Sequence, residues 1–115
     1  MHTIFSPEMN NDRIQQLLRF VQEQPGDPFN VYALAMEYRT EDPGQALHYI
    51  EKLLTEHPDY LPTYYPAAEL YEEMDNRSKA GMLYQRGLEL ARDQQNQKTF
   101  DELNRAYRRF LDEED

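Results

Sequence analysis

The sequence predicts an all-α protein in which antiparallel helical hairpins stack as a short right-handed α-solenoid of about six helices. Apolar residues recur at helical spacing, and the helix-favouring residues Leu, Met, Glu, Gln and Arg dominate the composition. One pattern also occurs twice, with an offset of 33 residues in its first half and 34 in its second. The first copy comprises Val31, Leu34, Ala35, Tyr38, Ala46, Ile50, Leu53 and Leu54, and the second comprises Tyr64, Ala67, Ala68, Tyr71, Ala80, Tyr84, Gly87 and Leu88. A repeat of this length is typical of stacked helical pairs.

Prolines and Asp or Asn residues fall between the periodic segments and set the predicted helix boundaries. Asp27-Pro28 and Asp42-Pro43 each combine an N-cap side chain with a proline at the first helical position, where its missing N–H costs nothing. Pro25 and Pro58 end the helices before them, because the residue preceding a proline avoids the helical conformation. The predicted helices span residues 11–24, 28–40, 43–57, 61–74, 77–94 and 97–112.

The two terminal helices are predicted to complete a single domain over residues 11–112. Helix 11–24 resembles the second helix of a pair, since its apolar residues lie 33 positions before those of helix 43–57, and it is predicted to be a half repeat. Repeat 1 covers residues 28–58 and repeat 2 covers 61–94. Helix 97–112 has one apolar side and is predicted to cap the array. Residues 1–10 are predicted to form a flexible tail and residues 113–115 a frayed acidic tail.

Three residues within the predicted helices depart from good helix chemistry. Pro66 lies about one turn into helix 61–74, which predicts a late helix start or a kink. Gly87 lowers helix propensity by about 1 kcal/mol relative to Ala, which close helix contact would offset. The sequence offers no such reason for Gly81.

The composition limits the classes of function. The net charge of −10 disfavours binding to a phosphate backbone, so nucleic acid is not an expected partner. The acidity is compatible with solubility, with a basic partner, or with a high-salt environment, and solubility is the favoured reading. There is no cysteine, no apolar run long enough to cross a bilayer and no recognisable signal peptide. We therefore expect a cytoplasmic protein without a cofactor that binds no membrane.

The repeated pattern resembles that of the tetratricopeptide repeat family. In this sequence it takes the form Val31-x2-Leu34-Ala35-x2-Tyr38, Ala46-x3-Ile50, Pro58, and then Tyr64-x2-Ala67-Ala68-x2-Tyr71, Ala80-x3-Tyr84. The small residues Ala35, Ala46, Ala68 and Ala80 are expected where paired helices approach closely. The larger residues are expected to fill the space between successive hairpins, and they are Tyr38, Ile50, Tyr71 and Tyr84. The second unit has Arg92 where the family has its closing proline, so the angle of the capping helix is left open.

The resemblance implies binding of a peptide or protein segment in a concave groove lined by the first helix of each pair. The residues that this rule places in the groove are Phe29, Tyr32, Met36, Arg39, Tyr65, Glu69, Glu72, Glu73 and, from the cap, Arg105. Exposed aromatic residues favour apolar ligands, although Phe29 and Met36 could instead pack on helix 11–24. The glutamates favour a basic segment, although an ordinary solvated helix face has the same composition. Tyr32, Met36 and Pro66 replace the Lys and Asn residues with which some family members capture acidic chaperone tails, so the expected ligand is apolar or basic.

An enzymatic function finds little support in the sequence. His2, His48 and His57 are not spaced as metal ligands on one helix face, and the glycines are isolated rather than grouped in a phosphate-binding loop. We therefore expect no catalytic residues and no metal. A structural role remains as the alternative, in which the repeats mediate self-assembly or form a regulatory subunit. The chain is expected to be a monomer or a weak homodimer.

Overall fold

The computed structural model describes residues 6–113, with side chains from residue 11 onward. Over these residues the backbone forms six α-helices and one 3-10 turn, and it has no strand. The helices are α1 (Ser6–Glu23), α2 (Pro28–Tyr38), α3 (Pro43–Glu56), α4 (Tyr64–Glu73), α5 (Arg77–Asp93) and α6 (Gln97–Asp112), with the 3-10 turn at Leu61–Thr63. The chain divides into two compact units, Met1–Tyr60 with α1 to α3 and Leu61–Asp115 with α4 to α6. The all-α, helical-repeat fold class is thereby confirmed.

The N-terminal boundary of α1 differs from the prediction. Helix α1 begins at Ser6, so residues 6–10, which were predicted to belong to a flexible tail, are helical. Pro7 does not prevent this, because a proline in the first turn removes no intrahelical hydrogen bond. Residues 1–5 and 114–115 lie outside the described residues, and the predictions for these ends remain predictions. The division of the domain into repeats likewise remains a prediction.

Two aspartates cap the helices of the first unit as predicted. The carboxylate of Asp27 accepts a hydrogen bond from the backbone N–H of Phe29 at 3.0 Å. The carboxylate of Asp42 accepts one from the N–H of Gln45 at 3.2 Å. Each satisfies a donor that the first helical turn leaves without a backbone partner, which fixes where α2 and α3 begin.

The core of the first unit joins its three helices. Ile14 and Leu17 of α1 are buried against Leu34 of α2. Tyr49 of α3 packs against this cluster and stacks on Tyr38, with ring centroids 5.9 Å apart and planes 2° from parallel. Helix α3 therefore packs on α2, and its Tyr49 reaches the core that α1 and α2 share.

In the second unit, α4 starts late, as Pro66 predicted. Residues 61–63 form the 3-10 turn, and α4 begins at Tyr64, so Pro66 is its third residue. At that position an N–H has no intrahelical partner, and a proline costs little. The hydroxyl of Thr63, at the N-cap, is buried without a hydrogen-bond partner among the described residues. An N-cap side chain usually accepts a hydrogen bond from the N–H of the second or third helical residue, and the third residue of α4, Pro66, has no N–H to donate to Thr63.

Small residues allow the helices of the second unit to approach closely. Ala67, Ala68 and Ala80 are fully buried. A Cβ atom at Gly87 would lie 2.8 Å from the Cβ of Tyr64, so the close contact expected at Gly87 is confirmed. A Cβ atom at Gly81 would lie 3.4 Å from Cε2 of Phe110, an ordinary van der Waals distance, so packing does not require a glycine there.

The same three-residue turn follows α4 and α5. Asp75 and Gln95 have positive φ angles of 61° and 58°. The N–H of the next residue, Asn76 or Asn96, returns to the carbonyl of Tyr71 or Ala91 at 2.9 Å. The side chains of Asn76 and Asn96 then cap the following helices. Each asparagine therefore ends one helix and begins the next.

Candidate functional site

The α2 face of the first unit exposes aromatic side chains. Phe29, the second residue of α2, is 59% exposed and is therefore not buried against α1. Tyr32, one turn later, is half-buried and meets the ring of Tyr60 edge-on, with ring centroids 6.0 Å apart and an interplanar angle of 64°. Edge-to-face contact holds both rings in place. Of the predicted groove residues in this unit, Phe29 is the most accessible for an apolar contact.

The other two predicted residues of this face are less accessible. Met36 is half-buried in the last turn of α2. Arg39 is also half-buried and follows the last residue of the helix as its C-cap. Its backbone N–H bonds to the carbonyl of Met36 at 3.3 Å, which fixes the start of its side chain at the helix end.

The α4 face of the second unit is polar, and internal contacts hold several of its side chains. Tyr65 is half-buried and accepts a hydrogen bond from the guanidinium of Arg109 on α6, and this bond raises the pKa of Arg109 above its ordinary value. Glu72 accepts a hydrogen bond from the hydroxyl of Tyr84 on α5. Glu72 is thus a partner of a core residue as well as a surface carboxylate, which the sequence did not predict.

The remaining predicted residues of this unit differ in exposure. Glu69 is half-buried, whereas Glu73 and Arg105 are exposed. Glu69 lies close enough to Tyr84 to contribute, with Glu72, to its electrostatic environment. The α4 face therefore brings Tyr65, Glu69 and Glu72 into one neighbourhood, in contact with α5 and α6.

Burial and neighbouring groups raise the pKa values of two tyrosines near these faces. The pKa of Tyr84 is raised far above its ordinary value, first because the side chain is fully buried and second because its proton is held by Glu72. The pKa of Tyr60 is also raised, by burial and then by Tyr32 and Asp27. Both phenols remain neutral and act as hydrogen-bonding and packing groups at neutral pH.

Three residues make contacts with these faces that the sequence does not predict. Tyr60 lies in the connection before the 3-10 turn, outside the repeated pattern, and its meeting with Tyr32 depends on how that connection folds. Tyr84 was identified only as a packing residue, and its bond to Glu72 crosses a hairpin. Arg109 lies on α6, and its contact with Tyr65 depends on the angle of that helix. An aromatic residue in an otherwise polar connection is the signal that could have identified Tyr60.

A groove of about 470 Å³ lies between α5 and α6, and none of its lining residues belongs to α4. Its lining combines apolar and polar side chains from both helices, namely Arg77, Ser78, Gly81, Met82, Gln85, Tyr107, Phe110 and Leu111. Within the described residues, no three His, Asp or Glu side chains are grouped to hold a metal ion. No helix in that part of the chain combines the length and apolar character needed to cross a bilayer.

Comparison with solved structures shows what the chain resembles. A crystal structure of a tetratricopeptide repeat domain protein from Salinibacter ruber matches with a TM-score of 0.73 and 38% identity, over 76% of this chain and 99% of the other. A solution NMR structure with the same description and organism matches with a TM-score of 0.73 and 40% identity, over 78% and 92%. The crystal structure of MamA, at 19% identity, has a similar fold, with a TM-score of 0.63 over 90% of this chain and 67% of MamA. No family model and no curated protein sequence matches the chain.

Proposed function

The chain belongs to the tetratricopeptide repeat family, and on that premise we propose that it is a non-enzymatic interaction module that binds a peptide or protein segment on its first-helix faces. Repeat proteins of this architecture work by presenting surfaces, and their faces differ in which side chains they present. The observation that carries the proposal is Phe29, which is 59% exposed beside the Tyr32–Tyr60 pair. Exposed aromatic side chains on a rigid helix are typical anchors in protein interfaces.

The two faces favour ligands of different chemistry. The α2 face offers Phe29 and the edge of Tyr32 to an apolar residue. The α4 face offers the carboxylates of Glu69, Glu72 and Glu73 to basic residues. Glu72 retains acceptor capacity after binding the Tyr84 hydroxyl, because a carboxylate accepts several hydrogen bonds. The net charge of −10 adds a general attraction for a basic segment.

A peptide array tests this proposal with two matched variants. Immobilised peptides that vary in apolar and basic content are probed with the wild type, with Phe29→Ser and with Phe20→Ser. Phe20 is a second exposed phenylalanine of the same unit, 40% exposed on α1, and controls for the general loss of an exposed ring. We expect apolar peptides and basic peptides to bind, Phe29→Ser to lose the binding of the apolar peptides and Phe20→Ser to keep it.

Two results would contradict the proposal. Preferential binding of acidic peptides would contradict the proposal that the carboxylates of the α4 face bind basic residues. An equal loss in both variants, together with a stable dimer of the wild type in light scattering, would favour the alternative in which the exposed aromatic residues mediate self-assembly.

A further inference from the structure

The groove between α5 and α6 is a second surface, separate from the α2 and α4 residues of the proposed function. Its side chains include two of the most exposed apolar residues in the described part of the chain, Met82 at 42% and Leu111 at 43%. Beneath them lie Phe110, which is buried, and Tyr107, which is half-buried and accepts a hydrogen bond from Gln85 at 2.6 Å. The groove therefore combines the buried or half-buried rings of Phe110 and Tyr107 with the exposed apolar side chains of Met82 and Leu111.

In the first unit, a side chain of α3 occupies the position that corresponds to this groove in the predicted repeat register. Helices α1 and α5 are both second helices of a pair, and the repeat offsets of 33 and 34 residues relate Ile14 to Gly81 and Leu18 to Gln85. Ile14 and Leu18 belong to the cluster on which Tyr49 of α3 packs. Gly81 and Gln85 instead line the open groove. Tyr49 of the amphipathic helix α3 covers the core between α1 and α2, and in the predicted repeat register the corresponding side of the α5–α6 pair forms the groove.

The charge in the groove indicates one further property of an occupant. Arg77 is the one charged residue among the described residues that line it. Its guanidinium lies 4.0 Å from the centre of the Phe110 ring and donates a hydrogen bond to the Phe110 carbonyl at 2.7 Å. Its Nε atom is buried without a hydrogen-bond partner among the described residues. A cation held rigidly at the end of an apolar groove favours a ligand that brings a carboxylate.

We propose that the α5–α6 groove docks an amphipathic helix of a partner protein, with small, aromatic and aliphatic residues on one face, as on α3, and a carboxylate beside them. The apolar face covers Met82, Tyr107 and Leu111, and the carboxylate pairs with Arg77. Such a helix suits the groove because α3 packs on α2 and places Tyr49 on the core that α2 shares with α1. No residue that lines this groove belongs to the proposed α2 and α4 faces.

A peptide with the chain's own α3 sequence, residues 42–57 with acetylated and amidated ends, is the probe. It is titrated into the full chain while backbone amide shifts are followed by NMR. We expect saturable shifts at Gly81, Met82 and Leu111, with a dissociation constant of about 0.1–1 mM because the free peptide must first order as a helix. A peptide with Glu51→Gln and Glu56→Gln should bind about two- to fivefold more weakly, the range expected for one or two exposed ion pairs.

Two methionines provide a matched pair of variants. Met82→Glu should abolish the shifts in the groove, whereas Met74→Glu, at a residue of the same unit that is 40% exposed but outside the groove, should leave them unchanged. The proposal is overturned if the peptide causes no saturable shifts, if the shifts lie in the first unit, or if both variants behave alike. It is also overturned if the free chain forms a dimer through this groove, since a second copy would then be the occupant. Loss of array binding by Phe29→Ser would test the proposed function and leave this result unaffected.

Discussion

The buried hydroxyl of Tyr84 donates a hydrogen bond to the carboxylate of Glu72, across the hairpin formed by α4 and α5. Tyr84 has no exposed surface, and Glu72 is half-buried. A residue of the packing pattern and a residue of the predicted binding face therefore depend on each other. The hydrogen bond from the buried Tyr84 hydroxyl fixes the orientation of the Glu72 side chain on the α4 face.

Removing the carboxylate at residue 72 should destabilise the protein. In Glu72→Ala the Tyr84 hydroxyl stays buried without an acceptor, which costs about 1–3 kcal/mol of unfolding free energy. Glu89→Ala, at an exposed carboxylate of α5, should change it by no more than about 0.5 kcal/mol. Urea unfolding followed by circular dichroism measures both, and equal effects of the two substitutions would show that the bond contributes nothing.

The protein should lose stability at alkaline pH because of Tyr84. The pKa of this phenol is raised in the folded state by burial and by Glu72, so its contribution is fully present below the unfolded-state pKa of about 10. Above that pH the unfolded chain loses the proton while the folded chain keeps it. Unfolding free energy then falls by up to about 1.4 kcal/mol per pH unit for this one group.

Tyr84→Phe should remove that part of the alkaline decline. Some decline should persist, because the pKa values of Tyr38 and Tyr60 are also raised. Urea unfolding of the wild type and the variant at pH 9 and at pH 11 provides the comparison. A variant with the same decline as the wild type would contradict the role assigned to Tyr84.

The two glycines of α5 should respond in opposite ways to alanine. At Gly87 the new methyl group would lie 2.8 Å from the Cβ of Tyr64 and 3.0 Å from Cδ1 of Leu103, so we expect a loss of about 1–3 kcal/mol from overpacking. At Gly81 the nearest atom is 3.4 Å away, and the gain in helix propensity should stabilise the protein by up to about 1 kcal/mol. Thermal unfolding distinguishes the two, and a stabilising Gly87→Ala would mean that α4 and α5 pack less closely than described.

The turn after α5 offers a test with adjacent glutamines. Gln95 has a φ angle of 58°, which costs a residue with a Cβ about 1 kcal/mol, so Gln95→Gly should raise the melting temperature. Gln94 has an ordinary φ angle of −86°, and Gln94→Gly should lower it through the greater entropy of the unfolded chain. If Gln95→Gly lowers the melting temperature as well, the turn geometry is wrong.

Local chemistry accounts for the parts of the fold that the sequence predicts well. The aspartate caps before Pro28 and Pro43 and the span 97–112 of α6 agree with the structure, because caps and apolar spacing act within a few residues. The start of α1 at Ser6 was missed because its first turn has no apolar periodicity. Gly81 has no explanation in the sequence, and the structure supplies none, since a Cβ atom would fit there at 3.4 Å from the Phe110 ring.

The candidate site was harder to predict because it depends on contacts between helices. Phe29 and Tyr32, which the repeat register places on the α2 face, are exposed and half-buried respectively, and their role in binding remains a prediction. Register alone does not show that Tyr60 would meet Tyr32, that Arg109 would bind Tyr65, or which carboxylate would turn inward. Those contacts depend on rotamers and helix angles that no short sequence pattern specifies.

The central claim is that the first-helix faces bind apolar segments on α2 and basic segments on α4, and NMR mapping of the best apolar and the best basic peptide from the array tests it most directly. The account predicts that the apolar peptide shifts the signals of Phe29, Tyr32 and Tyr60, and that the basic peptide shifts those of Tyr65 and Glu69. Shifts confined to α3, at His48, Lys52 and Glu56, would contradict it.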